Sequence, residues 1–404
     1  MILEFCITNY LSIKEEQKIS FIATSLKENT IEPNMLFKVG DTELSLLRSA
    51  VIYGANASGK SNVLKALAFY KKFISDSFKN SQAGEVIDVE TFRLNSNTAS
   101  EPATMEATFT DGVFIYRYGF EVSSESVEEE WLYKRACKKR AKEVELFYRT
   151  SDNIVVHPKS SLLQEIVNKK MVRGNALLLS TAAQFNDTTA VSILRWLNDT
   201  KVLFCSEDDV LWQNVIKHLD DKALRERITD FARYADLGIE SITKTGNHLV
   251  SHHRQYDDEG REVNSISFTF NRNESEGTVK YFSLAYPIID ALDNGKRVFI
   301  DELDSKLHPL LVRRIVALFN DDSTNPKGAQ LLFTAHDTFL LNAGLFRRDQ
   351  IWFTQKNSYS ATELYSLAEY KVRSGSLFEK NYLQGRYGAT PIIGNLENLF
   401  KLSK

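Results

Sequence analysis

Residues 49–61 read Ser-Ala-Val-Ile-Tyr-Gly-Ala-Asn-Ala-Ser-Gly-Lys-Ser, an apolar run that turns abruptly into a small, glycine-bounded loop. From Gly54 the stretch fits the pattern Gly-x4-Gly-Lys-[Ser/Thr]. The next segment is helical, because Val63, Leu64, Leu67, Ala68, Tyr70 and Phe73 recur at helix spacing as far as about Asp76. Strand, loop and helix in that order are the context in which this pattern holds phosphate. Glycine lets the backbone approach closely, successive N–H groups converge on an anion, and the helix dipole favours negative charge. The candidate contacts are Gly54, Asn56, Ala57, Ser58, Gly59, Lys60, Ser61 and Asn62. Lys60 is expected to bridge the β- and γ-phosphates and Ser61 to ligate Mg2+.

A second segment supplies the complement. Arg297-Val-Phe-Ile reads as an apolar strand ending in Asp301-Glu302. Adjacent carboxylates at a strand end are costly unless used, and beside a phosphate loop Asp301 suits the Mg2+ shell and Glu302 a water facing the γ-phosphate. Around this strand the pattern predicts a helix from Ser275 to Leu292, another from Leu307 to Phe319, and a strand from Gln330 to Thr334, an α/β alternation. Taken alone, Ser275-Glu-Gly-Thr is a helix N-cap and His336 an ordinary surface histidine.

The rest of the chain narrows the class. At 404 residues and 43% hydrophobic it can bury a large core and should divide into lobes. A net charge of -3 means that any attraction to nucleic acid must be local. Cys6, Cys137 and Cys205 are too few and too scattered for a disulfide scaffold or a cysteine-rich zinc site, which suits a reducing cytoplasm. The opening residues lack a signal-peptide pattern, and no apolar run is long enough to span a membrane.

Short strands are expected at Ile2–Ile7 and Lys18–Ile22, and a hairpin over Ala103–Val122 around Asp111-Gly112. Its aromatic stripe, Phe114, Tyr116, Tyr118 and Phe120, reads as the packed face of a sheet. Residues 125–270 read as mostly helical, with amphipathic segments at Ser160–Lys170, Thr188–Leu197 and Asp220–Arg233. Lys134 to Lys142 concentrates positive charge, and it reads equally as a solvated turn or helix face and as a strip that tracks nucleic-acid phosphates. The expected division is 1–124 and 271–370 as two parts of one ATPase-like domain, 125–270 as an insertion and 371–404 as a tail able to dock a partner.

The order of phosphate loop, long intervening region, Ser275-Glu-Gly-Thr278, Asp301-Glu302-Leu-Asp304 and Thr334-Ala-His336-Asp337 resembles ABC-type ATPases of the SMC, RecF and OLD branch. The resemblance implies a P-loop NTPase of ABC-ATPase type: a mixed sheet with an antiparallel β element and a helical insertion. It makes Ser275 and Gly277 the signature, Asp304 the aspartate loop and His336 the switch histidine. Ser-Glu-Gly-Thr in place of Leu-Ser-Gly-Gly-Gln argues against a transporter subunit. Asn9, Tyr10, Ser12 and Ile13 at the start, and Tyr382-Leu-Gln-Gly-Arg-Tyr-Gly388 near the end, resemble RloA-like AAA-family ATPases linked to restriction and abortive-infection loci.

The resemblance implies ATP and Mg2+ as cofactors, and a head-to-tail homodimer or higher oligomer in which each signature closes the other chain's nucleotide. It also implies a separate effector, a nuclease or toxin, in anti-phage defence. The alternative is a RecF- or SMC-like DNA-binding ATPase of repair or chromosome maintenance, although no segment sustains the heptads of SMC arms. A nuclease in its own right, as in OLD proteins, is disfavoured because only 68 residues follow His336. The glutamine that such proteins place on Mg2+ has one candidate, Gln82.

Overall fold

The computed structural model describes residues 1–26, 36–79, 82–205, 208–234, 238–246, 248–342, 344–371, 377–391 and 394. Two large sheets enclose the helix that leaves the phosphate loop. The first runs in the order Thr200–Phe204, Arg297–Asp301, Gln330–Thr334, Ser49–Gly54, Ile351–Lys356, Thr362–Ser366. Its first five strands are parallel and the last is antiparallel. The second is antiparallel and carries the 103–122 hairpin beside Ile2–Thr8 and Gln17–Ser20.

The strand Ser49–Gly54 is buried at all six positions, as expected for a central parallel strand covered on both faces. Its side chains alternate between two cores. Ala50 and Ile52 join Phe5, Met105 and Phe120 around the helix Lys60–Asp76, through its Val63, Leu64, Tyr70 and Phe73. Val51 and Tyr53 face the opposite layer, where Leu284 and Ile288 of the helix Glu276–Asn294 meet Val312, Ile315 and Phe319 of the helix Pro309–Asn320. The aromatic stripe packs as expected: Phe120 stacks on Tyr70 at 5.4 Å and meets Phe73 edge-on at 5.3 Å.

The helical expectation for 125–270 needs correction. Val127–Ala136, Val144–Thr150 and Ile154–Val156 extend the antiparallel sheet, and Ser241–Thr245, His248–Tyr256 and Glu262–Thr269 form a separate three-stranded sheet. Only the stretch between them is mainly helical, with helices at Ser161–Asn168, Leu178–Gln184, Thr188–Asn198, Asp208–His218 and Lys222–Arg233. Charge hid these strands, because their outward residues are polar and pair across the sheet: Tyr133 Oη donates to Glu145 at 3.0 Å and Tyr148 Oη to Glu129.

One carboxylate of that segment points inward. Glu130, fully buried, accepts from the Leu178 and Leu179 N–H groups at 2.6 and 2.9 Å and from Tyr118 Oη at 2.9 Å, and it faces Arg149 at 3.4 Å. It pins the start of the helix Leu178–Gln184 to the sheet. Burial raises its pKa against the pull of Arg149 and the two N–H donors. Glu130→Ala leaves the Arg149 guanidinium without its counter-charge, and two N–H groups and the Tyr118 hydroxyl without their acceptor, inside the protein. The expected loss is about 3–5 kcal/mol in urea unfolding, with Glu130→Gln losing less. A midpoint unchanged by Glu130→Ala contradicts this role.

Of the tail, residues 377–391 and 394 are described, and the end of the 371–404 segment lies outside the described residues. The helix Phe378–Leu383 docks through Tyr382, 5.3 Å from Phe353, with Tyr387 on the same ring at 5.8 Å. Lys380 and Arg386 stay exposed.

Candidate functional site

The phosphate loop leaves the central strand at Gly54 and enters the helix at Lys60. Gly59 is obligatory there. Its φ of 112° is left-handed, and a Cβ on it would lie 2.1 Å from Thr362 Oγ1. At Gly54 the constraint is space, since a Cβ would meet Thr354 Oγ1 at 2.5 Å and Ser58 Oγ at 2.6 Å. Two threonines brace the loop from below. Thr354 Oγ1 shares a hydrogen bond with Ser58 Oγ at 2.6 Å, and Thr362 Oγ1 donates to the Ser58 carbonyl at 2.8 Å. Lys60, only 5% exposed, donates from Nζ to the carbonyls of Gly54 at 2.8 Å and Ala55 at 3.1 Å. Burial lowers its pKa, while Asp301, Glu302 and Asp304 hold it up.

The acidic strand and the switch strand form one wall. Ser61 Oγ donates to Asp301 Oδ1 at 3.1 Å, joining residues 240 positions apart. Thr334 Oγ1 donates to the same Asp301 oxygen at 2.7 Å and accepts the Glu302 N–H at 2.7 Å. Glu302 itself sits at a φ of 53°, a conformation that a non-glycine residue adopts at a cost of about 1–3 kcal/mol and that recurs at functional sites. Its carboxylate is 3.7 Å from His336 Nε2, and both side chains are nearly half exposed. Asp304 Oδ2 accepts the His336 and Asp337 N–H groups at 2.7 Å each, which fixes the turn carrying the histidine.

These groups open onto a cavity of about 950 Å³ whose lining includes Asn56 to Asn62, Glu302, Asp304, His336 and, on the far side, Ser12 and Lys356. The donor set fits Mg2+. A hydroxyl and a carboxylate 3.1 Å apart are hard oxygen ligands, and Mg2+ completes its octahedron with water and phosphate oxygens. Among the described residues no cluster of three His, Cys, Asp or Glu competes as a metal cage.

Ser275 and Gly277 do not line this cavity. Ser275 Oγ caps its own helix, accepting the Thr278 N–H at 3.1 Å, and Gly277 packs so tightly that a Cβ would lie 2.7 Å from the Lys306 carbonyl. Glu276 pairs with Lys306 at 3.4 Å, so the signature abuts the loop that begins at Asp304. Gln82 is a correction. It is exposed, its N–H donates to Glu85 at 2.8 Å, and it is absent from the cavity lining. The basic cluster divides: Lys134 Nζ lies 3.7 Å over the Phe114 ring, whereas Lys138, Lys139, Arg140 and Lys142 are exposed on a turn.

Thr354, Thr362 and Lys356 are functional neighbours without a sequence signal. A lone strand hydroxyl or lysine carries no spacing pattern, and only the sheet order brings these residues to the loop.

Residues 49–342 match the family described as AAA domain, putative AbiEii toxin, Type IV TA system. The chain belongs to this family. Its membership and the loop and acidic-strand geometry agree on a P-loop AAA domain built on a mixed sheet. No curated protein matches the chain. Among solved structures, the family member is similar to the recombination mediator RecF with ATPrS of the RecFOR pathway, at 12% identity and a TM-score of 0.30 over 90% of this chain and 98% of that one. It is also similar to cbiO1 from Clostridium perfringens, part of the ABC transporter complex cbiONQ, at 9% identity and a TM-score of 0.33 over 91% and 90% of the two chains. A third is the dimeric ATP-binding cassette MJ0796 with ADP and Pi, at 11% identity and a TM-score of 0.33 over 90% and 98%. Among the described residues of this AAA-family chain no helix is long and apolar enough to cross a membrane.

Proposed function

We propose that this chain hydrolyses ATP with Mg2+ as a cytoplasmic, dimeric ABC-type switch, the sensor or scaffold of a restriction-linked or abortive-infection system that acts through a separate effector. The observation that carries the reading is the meeting of Lys60, Ser61, Glu302 and His336 around one cavity, with Asp301 buried behind Ser61 at 3.1 Å, although they come from three distant segments. In this reading Lys60 neutralises charge between the β- and γ-phosphates. The carboxylate of Glu302 takes a proton from water, whose oxygen attacks the γ-phosphorus as the bond to the β-phosphate oxygen breaks. His336, 3.7 Å away, orients that water and the γ-phosphate. Mg2+ held by Ser61 and Asp301 supplies charge neutralisation at the phosphate oxygens.

The dimeric part of the proposal draws on the signature lying outside the cavity: Ser275 caps its own helix, Gly277 lies in that helix's first turn, and neither lines the cavity beside their own phosphate loop. A second copy placed head to tail brings them to the γ-phosphate. The defence role draws on the family description, which names a type IV toxin–antitoxin system. Any contact with a nucleic-acid backbone falls, in this account, to the exposed turn Lys138–Lys142. The RecF-like repair reading shares the ATP site and has no observation of its own.

The test is phosphate release from ATP by the purified chain. Release that requires added Mg2+ and stops with EDTA is expected; a chain that neither binds nor cleaves ATP contradicts the proposal.

A further inference from the structure

The nucleotide cavity has two walls, and the reaction at the γ-phosphate uses only one. Strand order sets them apart. Arg297–Asp301 and Gln330–Thr334 lie on one side of Ser49–Gly54 and carry Glu302, Asp304 and His336; Ile351–Lys356 lies on the other. A triphosphate gripped at its centre by Lys60, with its γ end toward Glu302 and His336, must direct its α end to the opposite wall.

Among the described residues, that wall contributes one cation, Lys356, to the cavity lining. Lys356 ends its strand in register with Thr362. The Thr362 hydroxyl lies 2.7 Å from Ser12 Oγ, which accepts from Asn62 Nδ2 at 2.6 Å. Lys356 thus stands beside the first turn of the phosphate-loop helix, where Asn62 comes directly after Ser61. Unlike Lys60, it has no hydrogen bond or ion pair among the described residues, and Ser12 and Asn62 bring no charge to that wall. Lys356 itself is exposed to solvent at the cavity rim, and desolvation by its surroundings lowers the pKa of its ammonium. An ammonium that lines an anion site and lacks a counter-ion favours phosphate, which lysine binds as a point charge.

We propose that Lys356 is the α-phosphate contact of this site, a specificity-determining residue on the nucleoside side of the cavity. The inference rests on the ATP reading and extends it. An α-phosphate contact is made equally in the ground and transition states, so its loss raises KM and leaves turnover at saturation nearly intact.

The experiment compares wild type, Lys356→Ala, Lys356→Arg and the charge control Lys169→Ala in ATPase kinetics, and in competition by ADP and inorganic tripolyphosphate. Lys356→Ala is expected to raise the KM for ATP about tenfold while kcat changes less than about twofold, the scale of one lost charged contact. Inhibition by ADP and by tripolyphosphate should weaken by the same factor. Lys356→Arg should recover most of the loss, and Lys169→Ala should match wild type. An unchanged KM in Lys356→Ala overturns the proposal and leaves the ATP site standing. Weakened ATP with undiminished tripolyphosphate moves the contact to ribose or base, and equally overturns it. A wild-type chain that binds no ATP overturns both readings.

Discussion

Glu302→Gln is expected to bind ATP and Mg2+ as tightly as wild type and to hydrolyse ATP at least about 10²-fold more slowly, the usual scale for losing a general base. The substitution keeps size and hydrogen-bonding capacity. The backbone there is held independently of the side chain, by the Glu302 N–H donated to Thr334 Oγ1 at 2.7 Å and by the Leu303 N–H on the Thr334 carbonyl at 3.2 Å. Asp301, bound by Ser61 and Thr334, is untouched. The change therefore removes proton-accepting ability at one carboxylate. Single-turnover hydrolysis beside equilibrium ATP binding checks it, and wild-type turnover would refute the catalytic assignment.

Lys60→Ala should act one step earlier, on binding. The ammonium stands against three carboxylates, Asp301, Glu302 and Asp304, gathered at the same site. Without it a triphosphate loses its central cation and meets uncompensated negative charge, so ATP affinity should fall by about 10²-fold or more. Folding should survive. The hydrogen bonds lost go to the Gly54 and Ala55 carbonyls at the loop mouth, and alanine is at least as good a helix former as lysine. Isothermal titration with ATP and a thermal melt separate the two effects. An affinity close to wild type, or a protein that no longer folds, contradicts this division of roles.

How much of the molecule is legible in its sequence depends on the range of the interactions. The strand, loop and helix at 49–76 are legible because each is a local pattern, apolar run, then glycine, then helix period. Asp301-Glu302 is legible because two carboxylates end an apolar run. Ser12 comes only through the resemblance of the Asn-Tyr-x-Ser-Ile opening. The second sheet beyond residue 125 is not legible. Its outward residues form polar pairs such as Tyr133 with Glu145 and Tyr148 with Glu129, so polarity alternates less cleanly than burial, and Glu130 breaks the pattern from inside. Thr354, Thr362 and Lys356 are invisible for a different reason. Each sits on a strand whose neighbour is fixed by sheet order, and Thr354 reaches Ser58 across 296 positions of chain.

The head-to-tail sandwich is tested most directly by static light scattering of Glu302→Gln with and without ATP, beside the double variant that adds Ser275→Arg. With ATP uncleaved, Ser275 and Gly277 of each copy should keep their grip on the other's γ-phosphate. Glu302→Gln is then expected to double in mass only when ATP is present. Bulk and charge at the signature should return it to the mass seen without ATP, with ATP binding retained. A Glu302→Gln protein that is catalytically dead but whose mass ignores both ATP and Ser275→Arg would contradict the sandwich and leave the phosphate loop intact.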